Sequence, residues 1–228
     1  MKTIVYVDGY NFYYGCLKGT PYKWLDIVRL FQEHILPSSA FGVSSELVRL
    51  NYFTADILER AARSPDSVSS QMKYLRALGL TYPELVEIHK GFYTLLPMKA
   101  HVMDPDDEKK RFRDSAEVLV WKMEEKQSDV RLALEVFQDA MTGAADQIVI
   151  CSNDTDIAPA LEKVRAHRPD IKIGLVVPTS DSVRRPNKDM ADLADWVRTH
   201  IRDEELADSQ YPNFIPAKRK GVKKPDSW

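Results

Sequence analysis

Ile4-Val5-Tyr6-Val7 runs straight into Asp8-Gly9, and this short stretch constrains the chain more than any other. Four consecutive apolar residues, mostly β-branched and without polar alternation, suit a strand covered on both faces. Residues 47–53, 147–151 and 171–177 read the same way, the last ending against Pro178. Between these runs the period changes to that of helices: residues 24–36, 68–78 stopping at Gly79, 129–141 with Val130, Leu134, Phe137 and Met141 on one stripe, and 157–164. Strands alternating with helices predict an α/β fold around a parallel sheet.

Residues 85–121 break this rhythm. Strand-like material at 88–102 and 116–121 flanks the charged stretch 104–114, which predicts a strand plus an inserted β-hairpin with a solvated loop. From Pro216 onward the sequence carries five basic side chains and one acid (5 − 1 = +4), and residues 216–228 are expected to form a flexible, disordered basic tail behind a domain spanning 1–215.

Lys and Arg number 32 against 34 Asp and Glu, a balance of 32 − 34 = −2, so no whole-chain basic field holds a nucleic acid and any such partner must be gripped by local patches. Cys16 and Cys151 stand far apart, which fits a reducing compartment and excludes a multi-cysteine zinc site. Asp8 interrupts what a signal peptide would need, and no apolar run approaches a membrane span, so the expectation is a cytoplasmic protein without a membrane partner.

In an open parallel sheet, ligands bind beyond the carboxyl ends of the strands. Acids stand at those positions here: Asp8 after the first strand, Asp154 and Asp156 after the strand ending at Cys151, and Asp129 opening a helix. Carboxylates crowded into one crevice repel one another and lose solvation, a cost that a hard divalent cation such as Mg²⁺ or Mn²⁺ offsets. Aspartate is also an ordinary helix cap. With Asp156 as N-cap, Pro159 falls harmlessly in the first turn, and Asp129 suits the positive end of its helix, so capping accounts for both as well as chemistry does. Asp8 ends a buried run with no evident helix to cap. Asn11 could orient Asp8 or serve as a turn residue. Ser152 and Thr155 could donate to a carboxylate or a phosphate, or satisfy local backbone, and Lys126 could hold a phosphate or pair with Glu125 or Asp129.

Taken together, Val-Asp8-Gly-Tyr-Asn11-Phe, Glu125-Lys126-x-x-Asp129 and Ser152-x-Asp154-x-Asp156-Ile resemble the NYN branch of the PIN-like nuclease superfamily, over residues 3 to about 216. Leu193-Ala-Asp195-Trp and the later Leu206-x-x-Ser209-Gln210-x-Pro212 extend the match. The resemblance implies a Rossmann-like sheet with an acidic, Mg²⁺- or Mn²⁺-dependent pocket that hydrolyses phosphodiesters, most often in RNA. It makes Asp8, Asp129 and Asp154 metal ligands, Asp156 a direct or water-mediated ligand, and Asn11 the amide beside the first acid. The chain departs from the family at Gln127 and Asn153, where glycine is common.

Other chemistries lack their signatures. There is no phosphate loop, no GxGxxG fingerprint, and no second aspartate two residues after Asp8 as a haloacid-dehalogenase-like phosphatase would carry. Arg184, Arg185 and Lys188 lie just past the last strand as candidate phosphate contacts. Among Tyr10, Phe12, Tyr13 and Tyr14, one or more could stack on unpaired bases or simply fill the core. Two other readings stay open: a catalytically silent RNA-binding or regulatory module, and a metal-dependent phosphatase of a small molecule, for which a closed apolar pocket would speak. A protein partner such as an antitoxin is compatible with all three.

Overall fold

β1 (Lys2–Asp8) is buried from Thr3 to Asp8, its side chains alternating between two cores. Val5 and Val7 face one apolar cluster, and Ile4 and Tyr6 face the other. A computed structural model describes residues 1–107, 109–181 and 184–228; Glu108, part of the charged stretch, falls outside the described residues. After β1 come α1 (Gly9–Phe12), which continues as a π-helical turn at Tyr13–Leu17, then α2 (Ile27–Arg29), likewise prolonged at Leu30–Ile35, and β2 (Glu46–Ala55). Next follow α3 (Ser67–Thr81), β3 (Val86–His101), β4 (Glu117–Lys126), α4 (Ser128–Thr142), β5 (Gln147–Cys151), α5 (Ala158–His167) and β6 (Lys172–Val176). α6 (Lys188–Leu193), β7 (Trp196–Arg198), α7 (Asp203–Asp208), β8 (Phe214–Ile215) and β9 (Val222–Lys223) complete the chain.

Seven strands form one sheet in the order β4-β3-β2-β1-β5-β6-β7, and every pairing is parallel except β3 with β4. The expected α/β sheet flanked by helices is thus present, with the inserted hairpin as β3 and β4. The chain builds outward from β1 on one side and returns to start the other half at β5. β1 and β5 therefore flank the switch point where such sheets bind ligands. Past Gly91, β3 pairs with β4 and no longer with β2, and this part of the hairpin leaves Leu96, Leu119 and Trp121 exposed.

Several local expectations yield to tertiary structure. α3 passes through Gly79 and ends at Thr81, because Pro83 forces Tyr82 out of the helical region. On α4, Phe137 and Met141 of the predicted stripe pack against the core beside Leu132, Val136 and Ala140, while Val130 and Leu134 are 64% and 63% exposed. The helix is turned this way by Asp139, which lies buried with the Tyr6 hydroxyl and the Arg49 guanidinium donating to its carboxylate.

Residues 216–228 are not a disordered tail. β9 pairs with β8, Val222 is buried, and the Trp228 ring packs 6.3 Å from Trp24 and 5.9 Å from Tyr74. The basic composition hid sparse apolar anchors: the lysines face solvent while Ile215, Val222 and Trp228 bind the segment to the body.

Candidate active site at the sheet switch point

In the β1–β5 register Val7 stands opposite Cys151, so the next residues, Asp8 and Ser152, emerge side by side at the switch point. Asp8 Oδ1 accepts the Asn11 backbone N–H at 2.9 Å, and Oδ2 accepts the Asn11 side-chain amide at 2.7 Å and the Ser152 hydroxyl at 2.9 Å. Asp8 is therefore also the N-cap of α1, a role its sequence context did not suggest. Gly9 follows because a Cβ there would lie 2.6 Å from the Phe53 carbonyl oxygen and 3.0 Å from the Tyr52 ring. Burial outweighs these hydrogen bonds and raises the Asp8 pKa, with the Asp154 charge adding to the effect.

Asp154 follows β5, and its backbone N–H donates to Ser152 Oγ at 3.1 Å. Its own carboxylate accepts the Asp156 N–H at 3.0 Å, so Asp154, not Asp156, caps the short turn that leads into α5. Asp129 enters from the first turn of α4. Its carboxyl is pushed up to about 6 by burial, then by Asp8, Asp154, Glu125 and Asp156. The preceding Gln127 holds a left-handed φ of 77°, where the sequence departs from the family's common glycine.

Asp8, Asn11, Asp129 and Asp154 line one cavity of about 240 Å³ together with Tyr10, Tyr93, Met123 and Glu125. Glu125 is an acid that motif reading did not nominate. Strand alternation is the signal that finds it: along β4, Glu125 and Lys126 face opposite sides. Glu125 accepts from the Tyr93 hydroxyl at 3.0 Å and from the Ser128 hydroxyl, whereas Lys126 pairs with Glu124 at 2.8 Å, on neither acid expected of it.

Asp156 and Thr155 are exposed and do not line the cavity, although the Asp156 charge is felt at Asp129. Arg184, Arg185 and Lys188 are exposed on the segment after β6. Asn153 tethers that segment beside Asp154, donating to the Arg185 carbonyl at 3.3 Å and accepting the Asn187 N–H at 2.8 Å. Of the aromatic run, Phe12 is core, while Tyr10 and Tyr14 stay 45% and 40% exposed.

The donor set fits a hard divalent cation: four carboxylates and an amide oxygen, with no imidazole or thiol among the residues lining the cavity. Among the described residues the trio that brings its ligand atoms within 4.8 Å of one another is Glu33, His34 and Asp208, with Arg29 already serving its two acids as counter-ion; the cavity acids stand farther apart. Among the described residues no helix is long and apolar enough to cross a membrane.

The chain superposes on a protein of unknown function from Vibrio parahaemolyticus RIMD 2210633 with a TM-score of 0.47 at 18% identity, covering 89% of this chain and 94% of that one. It is 48% identical over 237 residues to the 6-hydroxy-3-succinoylpyridine 3-monooxygenase HspA of Pseudomonas putida (strain DSM 28022 / S16), an alignment covering 100% of this chain and 75% of the relative. The NYN domain model matches residues 2–193, and with the motifs of Asp8, Asp129 and Asp154 inside that span, the chain belongs to the NYN domain family.

Proposed function

We propose that the chain is a metal-dependent hydrolase of phosphodiester bonds, with RNA as its substrate class. The observation that carries this reading is the convergence of Asp8, Asp129, Asp154 and Glu125 on one cavity at the switch point of a parallel sheet. These four carboxylates would hold Mg²⁺ or Mn²⁺, which when bound lowers the pKa of water and neutralises charge developing on a phosphate. The chain's own groups set the stage. Asn11 and Ser152 fix the orientation of Asp8, while Tyr93 and Ser128 fix that of Glu125. Asp129, raised by burial and by its acidic neighbours, is a carboxylate whose charge a bound cation would relieve. Arg184, Arg185 and Lys188 are the candidate phosphate contacts beside the cavity.

The test is hydrolysis of labelled single-stranded RNA with Mn²⁺, Mg²⁺ or EDTA, using wild type beside Asp8→Asn and Asp154→Asn. Cleavage that requires metal and disappears in both variants is the expected result. RNA binding without cleavage in any of the three would instead favour the silent module.

A second reading rests on the relative named as a monooxygenase. By that likeness the substrate would be a small hydroxypyridine, attacked with O₂ and two electrons from a reductant. An aromatic-lined hollow adjoins the acids, a feature that suits small-molecule chemistry, including the phosphatase alternative. The carboxylate-rich donor set and the absence of a GxGxxG fingerprint favour hydrolysis. Oxygen uptake and reductant oxidation with 6-hydroxy-3-succinoylpyridine, against phosphate release from small phosphomonoesters, separate these readings from RNA cleavage.

A further inference from the structure

Next to the acid cavity, and sharing Tyr10, Tyr93 and Met123 with it, lies a hollow of about 460 Å³. That volume is in the range of small-ligand pockets, roughly 300–1,000 Å³. Its lining is predominantly apolar and aromatic. Tyr10 and Tyr14 pack with ring centroids 4.5 Å apart, and Trp228 reaches it from the segment that folds back on the domain.

The hollow asks for a ligand of particular chemistry, because Tyr10 and Tyr14, 45% and 40% exposed, offer ring faces to a flat ring. Arg63 and Lys18 also line the hollow, at 5.9 Å and 4.8 Å from the Tyr14 ring centroid, and neither has a carboxylate partner among the described residues. Unpaired cations at an aromatic site suit an anionic substituent.

We infer that this hollow is a subsite for a flat heterocycle carrying an anionic group, with the ring among the aromatic side chains and the anion held by Arg63. Under the nuclease reading the ring is a base flanking the phosphate at the acids, and that source of the ring rests on that reading. A free hydroxypyridine carboxylate offers the same chemistry.

Titration calorimetry in EDTA tests binding apart from any hydrolysis. The probes are uridine 5′-monophosphate, uridine and 6-hydroxynicotinate, with wild type, Tyr14→Ala and Arg63→Ala. Saturable binding of the nucleotide, weakened about five- to tenfold in Tyr14→Ala, supports the subsite. Arg63→Ala should weaken the nucleotide by a similar factor of about five and leave uridine unchanged. Binding of 6-hydroxynicotinate with the same variant pattern, without the nucleotide, supports the subsite and assigns it to a free small molecule. No saturation by either anionic probe up to about 5 mM, or affinities unmoved by both substitutions, overturns it. A chain that binds the nucleotide here but never cleaves RNA keeps this subsite while the hydrolase reading falls.

Discussion

The Ser152 hydroxyl, directly after β5, donates to Oδ2 of Asp8, at the end of β1, across 2.9 Å and 144 residues of chain. The same oxygen of Ser152 accepts the Asp154 N–H, so one side chain fixes two of the acids. Ser152→Ala should leave the fold intact and weaken Mn²⁺ affinity or metal-dependent cleavage on the order of 10- to 100-fold, as loss of such a supporting hydrogen bond commonly does. Mn²⁺ titration of the cleavage rate measures it, and an unchanged midpoint and rate would remove Ser152 from the site.

Asp129 links the site to pH. Its folded pKa of about 6 exceeds the ordinary value, so between roughly pH 4 and 6 the folded chain binds more protons than the unfolded one. The group's contribution to stability therefore falls as pH rises through that window. In EDTA at about pH 7.5, Asp129→Asn should melt at a higher temperature than wild type, with the gap narrowing near pH 5. Mn²⁺ must displace the proton, so its affinity for wild type should drop below about pH 6. Thermal melts across pH, with and without Mn²⁺, check both.

Gln127 sits at φ 77°, ψ −19°, a left-handed conformation that only glycine adopts freely. Gln127→Gly should raise stability by about 1 kcal/mol in urea unfolding, the strain relieved exceeding the added entropy of the unfolded chain. A loss of stability would show that the Gln127 contact with Arg131, at 3.3 Å, matters more than the backbone.

Asp139 anchors α4 against β1 and β2 through Tyr6 and Arg49. Asp139→Ala leaves a buried hydroxyl unpaired and the Arg49 guanidinium with only Glu87, at 3.7 Å, and should cost about 3 kcal/mol in denaturant unfolding. Leu134→Ala, on the exposed side of the same helix, should stay within about 0.5 kcal/mol. Equal effects would mean that α4 presents its other face.

The sequence alone determined the sheet and three of the four acids in the cavity. Runs such as Ile4-Val5-Tyr6-Val7 are short, apolar throughout and mostly β-branched, which suits a strand buried on both faces, and Asp8, Asp129 and Asp154 stand at element ends where motif spacing exposes them. Tertiary structure decided what depends on partners distant in the chain. Glu125 joins the site, and Lys126 leaves it, because the pairing of Tyr93 with Glu125 sets which face of β4 turns toward the cavity. Asp139 rotated the buried face of α4 away from Val130 and Leu134, because Tyr6 and Arg49 supply its hydrogen bonds. Residues 216–228 are ordered because a few side chains, Val222 and Trp228 foremost, find an aromatic floor at Trp24 and Tyr74. Composition averages over a segment, whereas burial is won residue by residue against surfaces that exist only once the chain has folded.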